Sequence, residues 1–235
     1  LPADHKKLID VMIGTSTRGN EDIVRGKKGG VVILCSGLPG TGKTLTAEVY
    51  AETAERPLYT VQCSQLGIDP ESLEKELGIV LRRSVRWNAI TLIDEADVYI
   101  HERGDDVNQN AIVGVFLRLL EYYSGVLFLT TNRETVVDDA IMSRCIAHIH
   151  YGVPKDDDSK KLLWKILSTQ YGLQLDETVI SRLVRTFPTV SGRTIKQLCR
   201  LTQAMQGADG KGSVVGLFKW LAQFQNGAEI ADKEA

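Results

Sequence analysis

The stretch Gly37-Leu38-Pro39-Gly40-Thr41-Gly42-Lys43-Thr44 follows the apolar run Val31–Leu34 and precedes a helical pattern that begins at Leu45. The order of strand, glycine-rich loop and helix is typical of a phosphate-binding loop. Glycines let successive backbone N–H groups point inward at phosphate oxygens, and the helix adds its positive end. We expect Lys43 to reach the β and γ phosphates of a nucleotide, and the Thr44 hydroxyl to bind Mg²⁺. The residues expected to bind the nucleotide in this stretch are Gly37, Leu38, Pro39, Gly40, Thr41, Gly42, Lys43, Thr44 and Leu45.

Polar side chains follow two further apolar runs of the chain. Asp94 and Glu95 come directly after Ala89–Ile93, and Asn132 comes soon after Val126–Leu129. Strands that are apolar throughout are typical of a parallel sheet covered on both faces, and ligands bind at the carboxyl ends of such strands. We therefore predict that Asp94 holds Mg²⁺ through water, that Glu95 polarises the water attacking the γ-phosphate, and that Asn132 orients this water.

Two arginines are further candidates for the site. Arg144 follows a short helical segment, where it could act as an arginine finger on the γ-phosphate held by a neighbouring subunit. Arg193 comes two residues after the predicted helix cap Ser191 and could project toward the bound nucleotide. Each could equally be a surface salt-bridge partner, because arginines are common on protein surfaces.

The pattern of elements predicts an α/β fold with a helical addition. Five predicted strands alternate with helices, which favours a five-stranded parallel sheet with helices on both faces. From Pro154 onward only helical patterns remain. We therefore predict an N-terminal leader at 1–28, a nucleotide-binding core at 29–153 and a small all-helical lid domain at 154–235. Since the chain starts at Leu1 without methionine, we expect it to be part of a longer chain.

The amino-acid composition indicates which kinds of partner and which cellular compartment to expect. The formal net charge of −2 over 235 residues gives no bulk reason to expect a nucleic-acid or membrane partner. No apolar stretch approaches the roughly 20 residues of a membrane span, so we expect a cytoplasmic protein. The four cysteines have no metal-ligand or redox spacing, and we interpret them as reduced packing residues.

Five segments, taken in order, resemble the motifs of one family. They are Gly37–Thr44, Leu92–Glu95, Thr131–Asn132, Ser143–Cys145 and Ser191–Arg193. They resemble Walker A, Walker B, sensor 1, the arginine finger and sensor 2 of the AAA+ ATPases. Ser143-Arg144-Cys145 is similar to the finger motif of clamp-loader subunits, whereas Trp87–Arg133 looks closer to uncharacterised AAA-domain ATPases of bacteria, phages and fungi.

The resemblance implies a P-loop NTPase core with a helical lid and a Mg²⁺-dependent ATPase activity. ATP and Mg²⁺ would be the cofactors, with Thr44 and Asp94 as the metal-binding residues. It also implies a ring or helical homo-oligomer, such as a hexamer, whose subunits share active sites.

Four functions remain open on the sequence, and the weakest is a small-molecule kinase, in which Asn132, Arg144 and Arg193 would have no assigned purpose. The leading hypothesis is an ATP hydrolase that remodels or regulates a protein partner. The second is a nucleotide-gated assembly or signalling module in which hydrolysis is incidental. The third is a clamp-loader-like or helicase-loader-like factor acting on DNA, which the spread of lysines and arginines along the chain does not favour.

One segment departs from the pattern of relatives that thread polypeptides. Those proteins carry an aromatic residue in the loop after the second strand, whereas Ser64–Pro70 contains none. Leu66 or Ile68 could serve as a weaker contact for a threaded chain. Threading by an aromatic side chain is therefore not expected.

Overall fold

A computed structural model describes residues 30–132 and 137–209, with side chains described as far as residue 204. The predicted leader at 1–28 and a last helix expected from about Val214 to Phe224 lie outside these ranges. In the described ranges, one or two helices separate successive strands as far as Tyr151, and only helices follow.

The elements are numbered here in chain order. The strands are β1 Val31–Gly37, β2 Leu58–Gln62, β3 Ile90–Asp94, β4 Val126–Thr131 and β5 Ala147–Tyr151. The helices are α1 Lys43–Thr53, α2 Pro70–Arg86, α3 Asp97–Ile100, α4 Val107–Glu121, α5 Asp139–Arg144, α6 Asp157–Gln170, α7 Glu177–Thr186 and α8 Gly192–Asp209. A single 3₁₀ turn, Cys63–Gln65, follows β2.

The five strands form one parallel sheet in the order β2-β3-β4-β1-β5. β4 is inserted between β1 and β3, so that Val126 is paired with Val31 on one side and with Ile90 on the other. Because all strands run the same way, their carboxyl ends lie at one edge of the sheet. The ends of β1, β3 and β4 are therefore neighbours at that edge.

Side chains alternate along the strands between two apolar layers. On one face, Ile33 and Phe128 pack in a cluster with Tyr50 of α1. On the other face, Leu34 packs in a cluster with Phe116 of α4 and with residues of α2. Helices thus cover both faces, and the predicted α/β fold class is confirmed.

The described residues divide into two compact units. One comprises residues 30–38 and 42–151, and the other comprises 39–41 and 152–209. In the second unit, helices α6, α7 and α8 enclose their own core around Trp164, Leu183 and Leu198, each at most 2% exposed. The domain limits 29–153 and 154–235 remain a prediction.

Most of the helices begin with an aspartate. Its short side chain accepts a hydrogen bond from a backbone N–H group of the first turn. These aspartates are Asp69, Asp106, Asp138, Asp156 and Asp176, the N-caps of α2, α4, α5, α6 and α7. Each such cap stabilises its helix by about 1 kcal/mol. Pro70 occupies the first turn of α2, where its missing N–H costs no hydrogen bond. In the part of the chain that is described, no helix is both long and apolar enough to cross a membrane.

Candidate functional site

The glycine-rich loop connects β1 to α1. Gly37 adopts φ +136°, and a Cβ atom there would lie 2.1 Å from the carbonyl oxygen of Tyr151, so no other residue fits. Gly42 precedes α1 in the left-handed region, where no side chain caps the helix, and the first turn contains no acidic residue. A Cβ atom on Gly42 would meet nothing within 4 Å. The positive end of α1 is therefore open to an anion such as a phosphate.

Lys43, the first residue of α1, is 7% exposed. Its Nζ donates to the carbonyl oxygens of Gly37 at 2.7 Å and Leu38 at 2.9 Å. The ammonium group is thus held by the loop itself, beside the open helix terminus. This is where a group that binds phosphate must lie.

Asp94 ends β3 and lies within reach of the loop. The Thr44 hydroxyl donates to Asp94 Oδ1 at 3.0 Å, although β1 and β3 are not adjacent strands. A hydroxyl and a carboxylate side by side provide the oxygen ligands that Mg²⁺ prefers. The donor set therefore fits the predicted ion, and Thr44 and Asp94 are the residues that would hold it.

Thr130, on the intervening strand β4, joins the two acidic residues, and the sequence did not single it out. Its hydroxyl donates to Asp94 Oδ1 at 2.5 Å and accepts from the backbone N–H of Glu95 at 2.9 Å. Its carbonyl oxygen accepts from the N–H of Ala96 at 2.8 Å. The polar pair Thr130-Thr131 at the end of an apolar strand was the only signal for this role.

Glu95 and Asn132 lie close together at this edge of the sheet. The amide Nδ2 of Asn132 is 3.5 Å from Glu95 Oε1, at the long limit of a hydrogen bond. Glu95 is exposed and adopts φ +57°, a left-handed conformation that is strained for a residue with a Cβ atom. Such strain is often found at functional sites, where it aims a side chain.

Cys63 lies behind the acidic turn and was also missed. Its Sγ donates to the carbonyl oxygens of Glu95 at 3.0 Å and Asp94 at 3.4 Å. Burial, together with the nearby carboxylates of Asp97, Glu95 and Asp94, raises the pKa of the Cys63 thiol to about 12. The neutral thiol therefore acts as a hydrogen-bond donor that fixes the turn.

Arg144 ends α5, and its side chain contacts residues of its own chain. Its Nη1 donates to the carbonyl oxygen of Ala140 at 3.0 Å, and its Nη2 lies 3.9 Å from Glu121 Oε2. Its side chain is 34% exposed. Among the residues that the structure describes, Arg144 makes no hydrogen bond or ion pair with Lys43, Asp94 or Glu95. The structure therefore does not bring it together with those three residues.

Arg193 is the second residue of α8. Its backbone N–H donates to the carbonyl oxygen of Gly40 at 3.3 Å, and both residues belong to the second compact unit. Ser191 Oγ accepts from the N–H of Thr194 at 3.2 Å, which matches the predicted helix cap. The contact involves the backbone, so a role of the Arg193 guanidinium remains a prediction.

The loop after β2 corrects one expectation. Leu66 is fully buried in the core, so it is not available to contact a threaded chain, whereas Ile68 is 75% exposed. The Tyr99 hydroxyl shares its single hydrogen between the carbonyl oxygens of Cys63 at 2.8 Å and Gly67 at 2.9 Å, which ties the start of the loop to its middle. Leu66 instead packs in the apolar cluster that also contains Leu73 and Tyr99.

Fold and site geometry together define a P-loop NTPase. A sequence profile described as "ATPase family associated with various cellular activities (AAA)" matches residues 33–153, more than half of the chain. The chain therefore belongs to the AAA ATPase family, and the predicted resemblance is confirmed. Members of this family bind ATP and are generally ATPases.

Related proteins share moderate sequence identity with this chain. The chain is 27% identical over 180 residues to Fidgetin-like protein 1 of Homo sapiens, a match that covers 72% of this chain and 26% of the human protein. The match therefore spans only about a quarter of that protein's length.

Solved structures share the fold at lower identity. One is a chain in the structure of the E. coli MS115-1 HORMA:CdnC:Trip13 complex, with a TM-score of 0.70, 18% identity, and coverage of 94% of this chain and 87% of that chain. Another is the FIGL-1 AAA domain in complex with ADP, with a TM-score of 0.70, 17% identity, and coverage of 98% and 84%.

Proposed function

We propose that this chain is an ATP-hydrolysing AAA module that oligomerises and couples ATP turnover to the remodelling or regulation of a protein partner. The observation that carries the proposal is the hydrogen-bonded set at the sheet edge. Thr44 and Thr130 both donate to Asp94, and Asn132 lies beside Glu95. An exposed carboxylate beside an amide is an arrangement that can accept a proton from a water molecule and orient that water.

Each residue of the set has a separate task in hydrolysis. Lys43 and the N–H groups of the loop bind the phosphates of ATP. Glu95 accepts a proton from a water molecule that attacks the γ-phosphorus, while Asn132 orients this water. The bond between the γ-phosphorus and the β–γ bridging oxygen breaks, giving ADP and inorganic phosphate. Mg²⁺, when bound, would neutralise phosphate charge.

Arg144 is proposed to act on the ATP of a neighbouring subunit. Its contacts to Ala140 and Glu121 hold it away from the acidic residues of its own site, which supports a role between subunits. Its ion pair at 3.9 Å is long and partly exposed, so little free energy is needed to break it. The proposed assembly is a ring or helical homo-oligomer such as a hexamer, and Arg193 would sense the nucleotide.

The proposed partner is a protein. The similar chain from E. coli MS115-1 lies in a complex with components named HORMA and CdnC, which motivates the choice without identifying a partner for this chain. The exposed Ile68 offers one apolar contact for such a partner.

Replacing Glu95 tests the proposed hydrolysis. Glu95→Gln preserves the shape of the side chain but removes the base, so ATP turnover should fall by at least about a hundredfold. ATP affinity, measured by titration calorimetry, should be unchanged. Arg118→Ala, which removes an exposed ion pair to Glu74, is the control and should retain turnover. Unchanged turnover in Glu95→Gln would refute the assigned base.

A second candidate function, action on DNA, has one observation in its favour. Arg82, Arg83 and Arg86 are exposed at the end of α2, where Trp87 is 52% exposed with its ring 5.4 Å from that of Tyr59. Among the described residues, the three arginines have no ion-pair partner. Basic and aromatic side chains together are typical of single-stranded nucleic-acid binding.

Fluorescence anisotropy with a labelled oligonucleotide distinguishes this second candidate. A salt-dependent affinity that is lost when the three arginines are replaced by alanine would favour it. Action on DNA would be excluded if the oligonucleotide does not bind, or if it binds the triple variant as tightly as the parent. Lys75→Ala, at an exposed site elsewhere on α2, is the matched control.

A further inference from the structure

The loop that follows the acidic turn is joined to the start of α5 by a bidentate ion pair. Arg103 Nε donates to Asp138 Oδ2 at 2.8 Å, and Arg103 Nη2 lies 3.4 Å from Asp138 Oδ1. The side chain of Asp138 is 5% exposed, whereas that of Arg103 is 49% exposed. Removal of Arg103 would therefore leave a buried carboxylate without its counter-charge, unlike the loss of a surface pair.

Asp138 also begins the helix that carries Arg144. Its Oδ1 accepts from the N–H of Ala140 at 2.9 Å, so one carboxylate both caps α5 and receives Arg103. Burial raises the pKa of Asp138, but hydrogen bonds from Arg103 and the Ala140 N–H lower it by more, and the carboxylate stays ionised. The N–H of Asp138 donates to the carbonyl oxygen of Ile100 at 2.9 Å.

A continuous chain of contacts thus runs from the acidic turn to Arg144. The Thr131 hydroxyl donates to Asp97 at the start of α3, two residues after Glu95. α3 ends at Ile100, and His101 forms an antiparallel bridge with Val137. The Arg103–Asp138 pair then fixes the first turn of α5.

α5 has six residues and depends on its neighbours for its direction. A helix this short is not stable alone. At a rise of about 1.5 Å per residue, a tilt of about 10° at its first turn moves its far end by roughly 1.5 Å. A displacement of about 1 Å can cost a hundredfold in rate when a charged group must meet a transferring phosphoryl group.

We propose that Arg103 is a positioning residue, which holds Asp138 and thereby aims Arg144 at the ATP of the neighbouring subunit. The inference rests on the proposed role of Arg144 between subunits. Arg103 itself touches neither the nucleotide loop nor the acidic residues in the described part of the chain. Its effect should therefore appear at the neighbour's site and not in its own nucleotide affinity.

Mixed assemblies of two variants separate these effects. Arg144→Ala subunits retain their own site but lack the finger, and Glu95→Gln subunits retain the finger but cannot hydrolyse. Mixing the two should restore turnover at sites where a Glu95→Gln subunit donates Arg144. Adding Arg103→Ala to the Glu95→Gln donor should lower the restored turnover at least about tenfold, while ATP affinity of the donor stays unchanged.

Control donors make the outcome specific. Glu95→Gln with Arg118→Ala removes an arginine ion pair away from α5 and should restore turnover fully. Glu95→Gln with Arg103→Lys retains the charge without the bidentate geometry and should restore it in part. If Arg103→Ala lowers the melting temperature so far that the donor unfolds, the turnover restored by the Arg103→Lys donor is the test of whether Arg103 positions Arg144.

Two results would overturn the inference, and they are distinguishable. If the Glu95→Gln donor restores turnover and its Arg103→Ala and Arg103→Lys forms restore it equally well, Arg103 does not position Arg144. If the Glu95→Gln donor itself restores nothing, Arg144 does not act between subunits, and the proposed shared site fails together with the inference.

Discussion

The hydroxyl of Thr130 donates a hydrogen bond to Oδ1 of Asp94 across the adjacent strands β4 and β3. The same hydroxyl accepts from the N–H of Glu95, so that a single oxygen fixes both the carboxylate and the turn that follows it. Thr130 is 1% exposed, so its hydroxyl is shielded from solvent. The acidic pair thus depends on a neutral neighbour for its geometry.

Thr130→Val should therefore weaken both folding and catalysis. Valine preserves the shape but leaves the N–H of Glu95 unpaired, which should lower the free energy of unfolding by about 1–3 kcal/mol. ATP turnover should fall about tenfold or more, whereas Thr130→Ser should retain most of it. Urea denaturation and a phosphate-release assay measure the two effects.

Thr91→Val is the matched control for this prediction. Thr91 is also buried in the sheet, but its hydroxyl bonds Ser84 and Tyr123 at the opposite end of β3. Its replacement should cost similar stability without a specific loss of turnover. Equal losses of turnover in both variants would mean that general destabilisation, and not the position of Asp94, is responsible.

Glu95→Gly should make the protein more stable while removing its activity. The φ of +57° at Glu95 is strained for glutamate but free for glycine, so the free energy of unfolding should rise by about 1 kcal/mol. Glu55, exposed with φ +52°, is the control: Glu55→Gly should stabilise similarly and leave ATP turnover unchanged. If the Glu95→Gly protein is less stable than the parent, the prediction that the backbone is strained at Glu95 is wrong.

Gly37→Ala should destabilise the core strongly. The new Cβ atom would lie 2.1 Å from the carbonyl oxygen of Tyr151, and φ +136° is unsuited to alanine, so we expect a loss of about 3 kcal/mol or more. Gly114→Ala is the contrasting control, because a Cβ atom there meets nothing within 4 Å and alanine favours helix α4 by about 1 kcal/mol. Denaturant midpoints of the two variants should shift in opposite directions.

Cys63 should react slowly with iodoacetamide in the folded protein. With a pKa of about 12, its thiolate fraction at pH 8 is lower than that of an ordinary cysteine by on the order of a thousandfold. Its alkylation rate, followed by peptide mass spectrometry, should rise about tenfold per pH unit up to pH 10 without a plateau. A plateau near pH 8 or 9 would show that burial and the nearby carboxylates do not control this thiol.

The sequence alone was sufficient to predict those helices and strands that are indicated by a pattern of neighbouring residues. Alternation of apolar strands and helices predicted the five-stranded sheet, and the helix cap predicted at Ser191 is present. The roles proposed for Glu95, Asn132, Arg144 and Arg193 remain predictions, although Asn132 and Glu95 do lie together.

What sequence reasoning missed depends on contacts between distant segments. Thr130 could be assigned to Asp94 only once β4 was known to be adjacent to β3. Arg103 and Asp138 are joined by loop geometry that no periodicity encodes. Leu66 was considered as an exposed contact because burial inside a short loop leaves no pattern.

The position of β4 has a consequence for how the protein is made. The glycine-rich loop and Asp94 are both synthesised well before Val126, yet β1 and β3 do not pair with each other, because β4 lies between them in the sheet. A nascent chain that ends before Val126 carries both motifs without the strand that aligns them. Nucleotide binding on the ribosome should therefore begin only after β4 has emerged, and not when the two motifs emerge.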